Sequence, residues 1–549
     1  MNVNSNITGL GSLIISNSGT GQVKLFGSNT FAGGVTMSNG TLSLGHAWAL
    51  GTGSLTIATS GAILDNASTT ALSLTTTNQQ AWNSSFTFTG TGNLTMGPGT
   101  VTLGTNVTVT TSAKVFTVPG AIAGAYALVK DGAGTLVLTN GGNNFSSLTV
   151  NNGTNQLGSG GAGVNVLGSA IVTNNGVLTF NFGSTGSALY SNQISGTGSL
   201  NLQNTSIIYL SGSNSYSGGT YLSSGTSRLA AGNDNALGGG ALYFINSGSE
   251  LSATGKATRT LANSLVFSNN ATLGNGTDSG LLNLTGNVNL ASAWRQLTIS
   301  SEVNMAGVVS NGGFTKLGSS TLTLSGANVF GSGLSNAAGT LVIGNDSALG
   351  TGLLTFSGGS LSNTGNHVVA NDVNLGSSAR ISVASGESLT LGGVITNAGG
   401  LVKIAGGTLS LNGNNSYAGA TLVSNGTLRV NGVSSGTGGL TVYSNATLGG
   451  TGSLRGVTIA DGGWLAPGNS IGTLTVSNLT LSSGSLLSFE LAATNASDQV
   501  VDLGTLTLAQ MSFSNFAFST NAGFGIGTYT LINAALHNGI FNPVTNESF

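Results

Sequence analysis

The sequence repeatedly restarts itself. "LFGSNTFAGG" from Leu25, "LSGSNSYSGG" from Leu210, "LSGANVFGSG" from Leu324 and "LNGNNSYAGA" from Leu411 share one order, Leu-x-Gly-x-Asn-x-aromatic. The asparagines are Asn29, Asn214, Asn328 and Asn415; the aromatics are Phe31, Tyr216, Phe330 and Tyr417. Ten residues after each aromatic stands a Thr preceded by Gly: Thr41, Thr226, Thr340 and Thr427. Three copies then reach Ala-Leu-Gly, at Leu50, Leu237 and Leu349, while the last has Ser435 in that place. A degenerate fifth copy, "LVLTNGGNNFSSLTVNNGTNQL", runs from Leu136 to Leu157. Self-similarity over a few tens of residues marks a solenoid, a propeller or an array, because each unit must bury its apolar face against a neighbour.

The segments between these landmarks alternate in period two: "GTLVLTN", "STLTLSG", "GTLSLNG", "GNLTMGPGTVTLGTNVTVTT". Each run lasts a few residues and stops at Gly, Asn or Ser, the pattern of half-buried strands bounded by turns. No window shows helical three-and-four spacing. The landmark aromatics are unevenly spaced, which a closed propeller does not allow. A solenoid tolerates degenerate coils between well-marked ones, since each coil touches only its neighbours. The expected fold is therefore all-β, one continuous parallel β-helix.

Charge avoidance supports this. The chain has 549 residues but only 12 basic and 14 acidic ones, 5% charged against about 25% in an average soluble protein. Parallel coils stack equivalent side chains about 4.8 Å apart, where like charges repel and Asn, Thr and Ser hydrogen-bond. The 91 glycines and the asparagines supply corners. Hydrophobic residues at 39% exclude a disordered Gly/Ser linker. A net charge of -2 offers no field for nucleic acid. There is no Cys, hence no disulfide or thiolate metal site. "VPGAIAGAYALV" is too short for a transmembrane helix, and "MNVNSNITGLGSLII" lacks the pattern of a secretory signal, so a signal has been removed or the chain is a segment of something longer.

Within the repeat, the Asn is expected at a corner with its side chain bonded to its own backbone. The aromatic is expected to pack in the core; the other reading makes it a carbohydrate platform.

The repeats resemble the autotransporter-associated β-strand repeat of bacterial surface proteins. The residues that carry the resemblance are "GFTKLGSSTLTLSGANVFGSG" from Gly313, "GLVKIAGGTLSLNGNNSYAGA" from Gly400, "AGTLVIGNDSALGTG" and "SNGTLRV". A second stretch, "TLGGTGSLRGVTIADGGWLAPGNSIGTLTVSNLTL" from Thr447 to Leu481, resembles the segment that closes the repeat region of such passengers, most specifically Ala466–Gly472. The resemblance implies a right-handed parallel β-helix on, or released from, a Gram-negative-type cell, and a scaffold without common catalytic residues. Residues 1–481 read as the repeat-bearing β-helix and 482–549 as closing strands or a cap, without the outer-membrane barrel strands usual after such passengers.

Candidates for chemistry are few. Glycoside hydrolysis needs two carboxylates facing across a bond. Asp498 and Asp502, four apart in "SDQVVDLG", share one strand face and are expected on a solvated edge. Asp234 and Asp346 recur in "GNDNALG" and "GNDSALG" and read as loop residues. Lys130, Lys316 and Lys403 recur at one place in the repeat and read as edge lysines that discourage strand pairing. His46, His367 and His537 have no metal-like spacing. No catalytic, cofactor or metal residue is assigned.

Three readings follow. The first is a non-enzymatic surface or secreted scaffold, adhesive or self-associating into a fibre or sheath, with surface glycans or neighbouring cells as partners. The second is a carbohydrate-active β-helix enzyme, a polysaccharide lyase or hydrolase, which needs two acids and a base from neighbouring coils in one pocket. The third is binding to ice or another crystalline surface through flat threonine arrays, suggested by "TVTLGTNVTVTTSAKVFTV" from Thr100.

Overall fold

The computed structural model describes residues 1–541 apart from 18, 204, 205, 278, 494 and 495. Short strands joined by turns make up the described chain, with one 3-10 turn at Phe513–Asn515 and no α-helix. The strands pair in parallel, each with a strand one coil further along the chain. The described antiparallel contacts are single bridges, Gly450 with Gly468 and Leu491 with Ser497. The fold is a parallel β-solenoid formed as two compact units, Met1–Gly286 and Asn287–Phe549.

Period-two alternation puts every second side chain inward, and parallel register piles those side chains. In the first unit Leu138, Leu157, Phe180, Leu202, Leu222, Phe244 and Phe267 form one such pile. All are fully buried, and the rings of Phe244 and Phe267 stack with centroids 4.5 Å apart. In the second unit Val303, Leu322, Leu341, Leu361 and Ile381 form another pile. Each such side chain contributes about 1.5–3 kcal/mol by leaving water. The ladders run past Leu481: Thr473–Leu481 pairs with Gln499–Met511, which pairs with Ile532–Phe541.

Corners are the harder problem, because the chain leaves the ladder there and its amides and carbonyls lose their partners. The repeat asparagines solve it between coils. Asn29 Oδ1 accepts from Ile7 N in the preceding coil at 2.8 Å, and its Nδ2 donates to Ala49 O in the next at 2.7 Å. Asn214 bridges Ile194 N and Ala236 O, and Asn328 bridges Val309 N and Ala348 O. The accepting Ala is the first residue of Ala-Leu-Gly each time. Asn415, whose copy lacks that motif, accepts from Ile395 N, but its Nδ2 has no partner. The side chain thus reaches neighbouring coils, not its own backbone, since stacking brings an amide and a carbonyl within its span on either side.

One coil beyond each Ala-Leu-Gly a further Asn donates back to the same turn. Asn78 bonds Gly51 O and Gly53 O, Asn263 bonds Gly238 O and Gly240 O, and Asn371 bonds Gly350 O and Gly352 O. The motif glycines Gly51, Gly238 and Gly350 have φ of 63°, 59° and 60°. A Cβ there would also strike the carbonyl oxygen of Phe31, Tyr216 or Phe330.

Those aromatics are core residues, at most 4% exposed, so no glycan reaches them. Their identity follows the residue four places on. Tyr216 and Tyr417 bond the hydroxyls of Thr220 and Thr421 at 2.7 and 2.6 Å, whereas Phe31 and Phe330 precede Val35 and Leu334. Thr41, Thr340 and Thr427 lie in strands, half-buried. Thr226 does not: it is exposed in a turn, because its copy has two extra residues before the strand, and Arg228 takes the ladder place opposite Ile207. The threonines after Thr100 form no continuous array either. Thr102 lies between Ala81 and Ala123, and Thr108 beside Val129, because each strand stacks on coils of different sequence.

Several inward positions are polar, and at one of them the whole side-chain amide goes unpaired. Asn155 sits in the inward pile between Leu136 and Leu178, fully buried, and neither amide atom has a partner. Asn155→Leu should stabilise the protein by about 1–3 kcal/mol, the usual cost of an unsatisfied buried polar group. The urea midpoint measures it; an unchanged or lower midpoint would contradict the assignment.

Candidate functional site

The repeated lysines are not edge residues. Lys130, Lys316 and Lys403 are fully buried and point inward. Lys403 occupies the apolar pile between Ile381 and Val423. Each ammonium reaches the corner at the end of its strand, where carbonyls of two successive coils converge. Lys130 Nζ donates to Asp131 O, Gly132 O and Asn152 O at 2.9, 2.6 and 2.9 Å. Lys403 Nζ donates to Ile404 O, Ala405 O and Asn425 O at 3.0, 2.7 and 3.1 Å, and Lys316 Nζ to Gly318 O and Ala338 O at 3.1 and 2.6 Å. The stem is core and the head caps orphan carbonyls. Burial pulls all three ammonium groups down from the ordinary lysine value to about 8; at Lys130 the neighbouring Asp131 acts the other way.

The acids do the complementary task. Asp65 accepts from Thr91 N and Oγ1, Asp234 from Thr260 N, Asp346 from Val368 N, Asp372 from Val394 N and Asp461 from Gly484 N. Each donor lies one coil further on. Asp346 also accepts from His367 Nδ1 at 2.8 Å, and this bond holds its carboxyl below the usual range. His46 Nδ1 accepts from Trp48 N, a role Asn233 and Asn345 play in later copies. Among the described residues no three of His, Cys, Asp and Glu converge as metal ligands.

Asp498 and Asp502 are also buried, at 2% and 1% exposure, and so do not lie on a solvated edge. Asp502 accepts from Leu479 N and Gly504 N, at bulges in two adjacent strands. Asp498 Oδ1 accepts from Gly472 N at 2.9 Å and Oδ2 from Glu490 N at 2.7 Å. The sequence hides this because a carboxylate that caps amides looks the same, in one dimension, as one that faces water.

Asp498 fastens the far end of the Ala466–Gly472 loop. The near end is held by two backbone bonds, Gly450 N to Gly468 O at 2.9 Å and Gly468 N to Gly450 O at 2.8 Å. Gly468 has φ of 84°, and a Cβ on Gly449 would stand 2.8 Å from Ala466 O. The glycines therefore let the loop fold down onto the outer strand face. Beneath it lies a polar cleft of about 160 Å³ lined by Thr427, Arg429, Thr447, Ser488, Glu490 and loop residues, with Asp498 at its base. Glu490 and Arg429 had no distinguishing signal in the sequence; coil register alone places them here. Two acids and a guanidinium do share this pocket, but the guanidinium stays protonated and both Asp498 oxygens are occupied by backbone amides, so neither serves as a free acid or base opposite Glu490. A larger apolar hollow of about 560 Å³, lined by residues including Phe518, Phe524, Ile526 and Tyr529, holds no acid or base other than that phenol.

Two outcomes are expected. Asp498→Ala should lower stability by about 1–3 kcal/mol for each amide it strands, with faster hydrogen exchange at Gly472 and Glu490; exchange unchanged at both would refute the clamp. For the lysines, the folded chain sheds its protons near pH 8 while the unfolded chain keeps them to about 10.5, so stability rises with pH in that window. The buried phenols of Tyr190, Tyr216 and Tyr417 are held above the usual tyrosine value and act oppositely above about pH 10. The melting temperature should therefore climb between about pH 8 and about pH 10, and climb less in Lys403→Met. Equal slopes would argue against the buried ammonium.

No curated protein matches the chain as a relative. The family model described as passenger-associated-transport-repeat matches residues 17–44, 128–154, 314–343 and 401–430. The last three segments each contain one of the buried lysines, and the first, third and fourth contain the landmark Asn and aromatic. The copy at Leu210 lies outside the matched segments. Four stretches of this chain thus match the passenger-associated-transport repeat, a repeat of the autotransporter-passenger type.

Proposed function

We propose that the chain is a non-enzymatic surface or secreted passenger of a Gram-negative-type cell, an adhesive scaffold. The observation that carries this is the occupation of the ionisable groups by the backbone. Lys130, Lys316 and Lys403 cap corner carbonyls, five aspartates cap amides of a following coil, and Asp498 caps two amides that precede it. A lyase or hydrolase needs a free acid and base turned toward a substrate. The passenger repeats support display outside the cell. Assembly into a fibre or sheath, with 482–549 closing the stack, is the finer form of this reading; sparse charge along the sides supports it, because little repulsion keeps neighbouring copies apart.

Antibodies against the purified chain should label intact source cells or their medium, and protease added to intact cells should remove the cell-bound signal. Label that requires permeabilisation would overturn the reading. The purified chain should also leave polysaccharides uncut; reproducible chain shortening, lost in Glu490→Gln, would establish the enzyme instead.

A further inference from the structure

The cleft under the Ala466–Gly472 loop brings together two ionisable side chains, Arg429 and Glu490, that bond no described backbone group. Glu490 Oε2 accepts from Ser470 Oγ at 3.2 Å and from Asn521 Nδ2 at 3.0 Å, and no described residue donates to its other oxygen. Across the cleft the Arg429 guanidinium forms no ion pair and donates to no described residue. Its stem lies beside Gly449, its partner on the next coil, with Cγ 3.8 Å from where a Cβ on that glycine would stand. A guanidinium that bonds nothing is a set of five oriented donors, and a half-engaged carboxylate is a set of strong acceptors. Thr427, Thr447 and Ser488 add hydroxyls that can do either.

The cleft's chemistry narrows its occupant. One guanidinium faces two carboxylates, so the balance disfavours phosphates, nucleic acids and acidic sugars. No aromatic ring lines the cleft, which excludes a flat heteroaromatic or a lipid tail as the main fit. A volume of about 160 Å³ suits one pyranose ring. The geometry points to a binding site for a neutral glycan, with one sugar under the loop, its adjacent hydroxyls donating to Glu490 and its oxygens accepting from Arg429. The approach is built to match. Ser388, Thr408, Thr427 and Thr447 stand in register on successive coils of the outer face and lead into the cleft. Strands advance about 4.8 Å per coil, close to the advance per residue of an extended pyranose chain, so further sugars meet one hydroxyl each.

This deepens the surface-scaffold reading and rests on it for its biological sense, but its test does not. The full chain is titrated calorimetrically with cellohexaose, xylohexaose, mannohexaose and maltohexaose, and with hexagalacturonate as the acidic comparator. At least one neutral hexasaccharide should bind. Arg429→Gln and Glu490→Gln should each weaken it by about tenfold or more, as loss of a charge-assisted hydrogen bond predicts. Arg380→Gln, in the same unit but outside the cleft, should not. Melting curves and circular dichroism establish that each variant is folded, and Thr447→Val, which keeps shape and removes one hydroxyl, should give a smaller loss. Absence of binding to every neutral probe, tighter binding of hexagalacturonate, or binding untouched by Arg429→Gln would each overturn the site. None of these results bears on whether the chain is displayed outside the cell, and failed surface labelling would leave the titration standing.

Discussion

The structure depends on side chains that satisfy the backbone of a neighbouring coil at the corners. Parallel ladders pair the amides and carbonyls of the strands, but every turn takes the chain off the ladder. A buried amide or carbonyl left there costs as much as a lost hydrogen bond. Asn29, Asn214 and Asn328 close the gap in both directions, one atom accepting from the coil before and one donating to the coil after. Aspartate does the accepting half, as at Asp234 and Asp372, and lysine the donating half, as at Lys403. Asparagine does both without bringing a charge into the stack. That is why the chain is so poor in charge and so rich in Asn.

The same demand decides how the repeat varies. Ala-Leu-Gly presents the carbonyl that the repeat Asn needs, and its glycine lets the turn close against the carbonyl of the landmark aromatic. Where the motif is missing, Asn415 keeps one bond and loses the other. Where the aromatic is Tyr, a Thr four places on takes its hydroxyl; where it is Phe, an apolar residue suffices. Two ionisable groups that bond no described backbone group, Arg429 and Glu490, meet where the Ala466–Gly472 loop folds over the outer face. A scaffold whose ionisable groups are structural can still hold a ligand wherever a loop leaves one guanidinium and one carboxylate oxygen free.

Much of this was legible in one dimension. Period-two alternation, Gly and Asn punctuation and an irregular internal repeat determined an all-β parallel solenoid, and the burial of Phe31, Tyr216, Phe330 and Tyr417 was expected of aromatics in a repeat, although the structure sets them in the connections between strands. These are local signals, set by φ/ψ preference and by which face of a pleat a residue occupies. Only the stacked structure decided where polar side chains look. Lys130, Lys316 and Lys403 seemed suited to an edge and are core; Asp498 and Asp502 seemed suited to water and hold buried amides; Thr226 keeps its place in the written repeat but not on the ladder. Arg429 and Glu490, sixty-one residues apart in the chain, carried no sign of sharing a cleft. The reason is physical: a hydrogen bond between coils joins residues about twenty positions apart, a distance that shifts with every turn's length, so partners are fixed by register and register exists only once the coils are stacked.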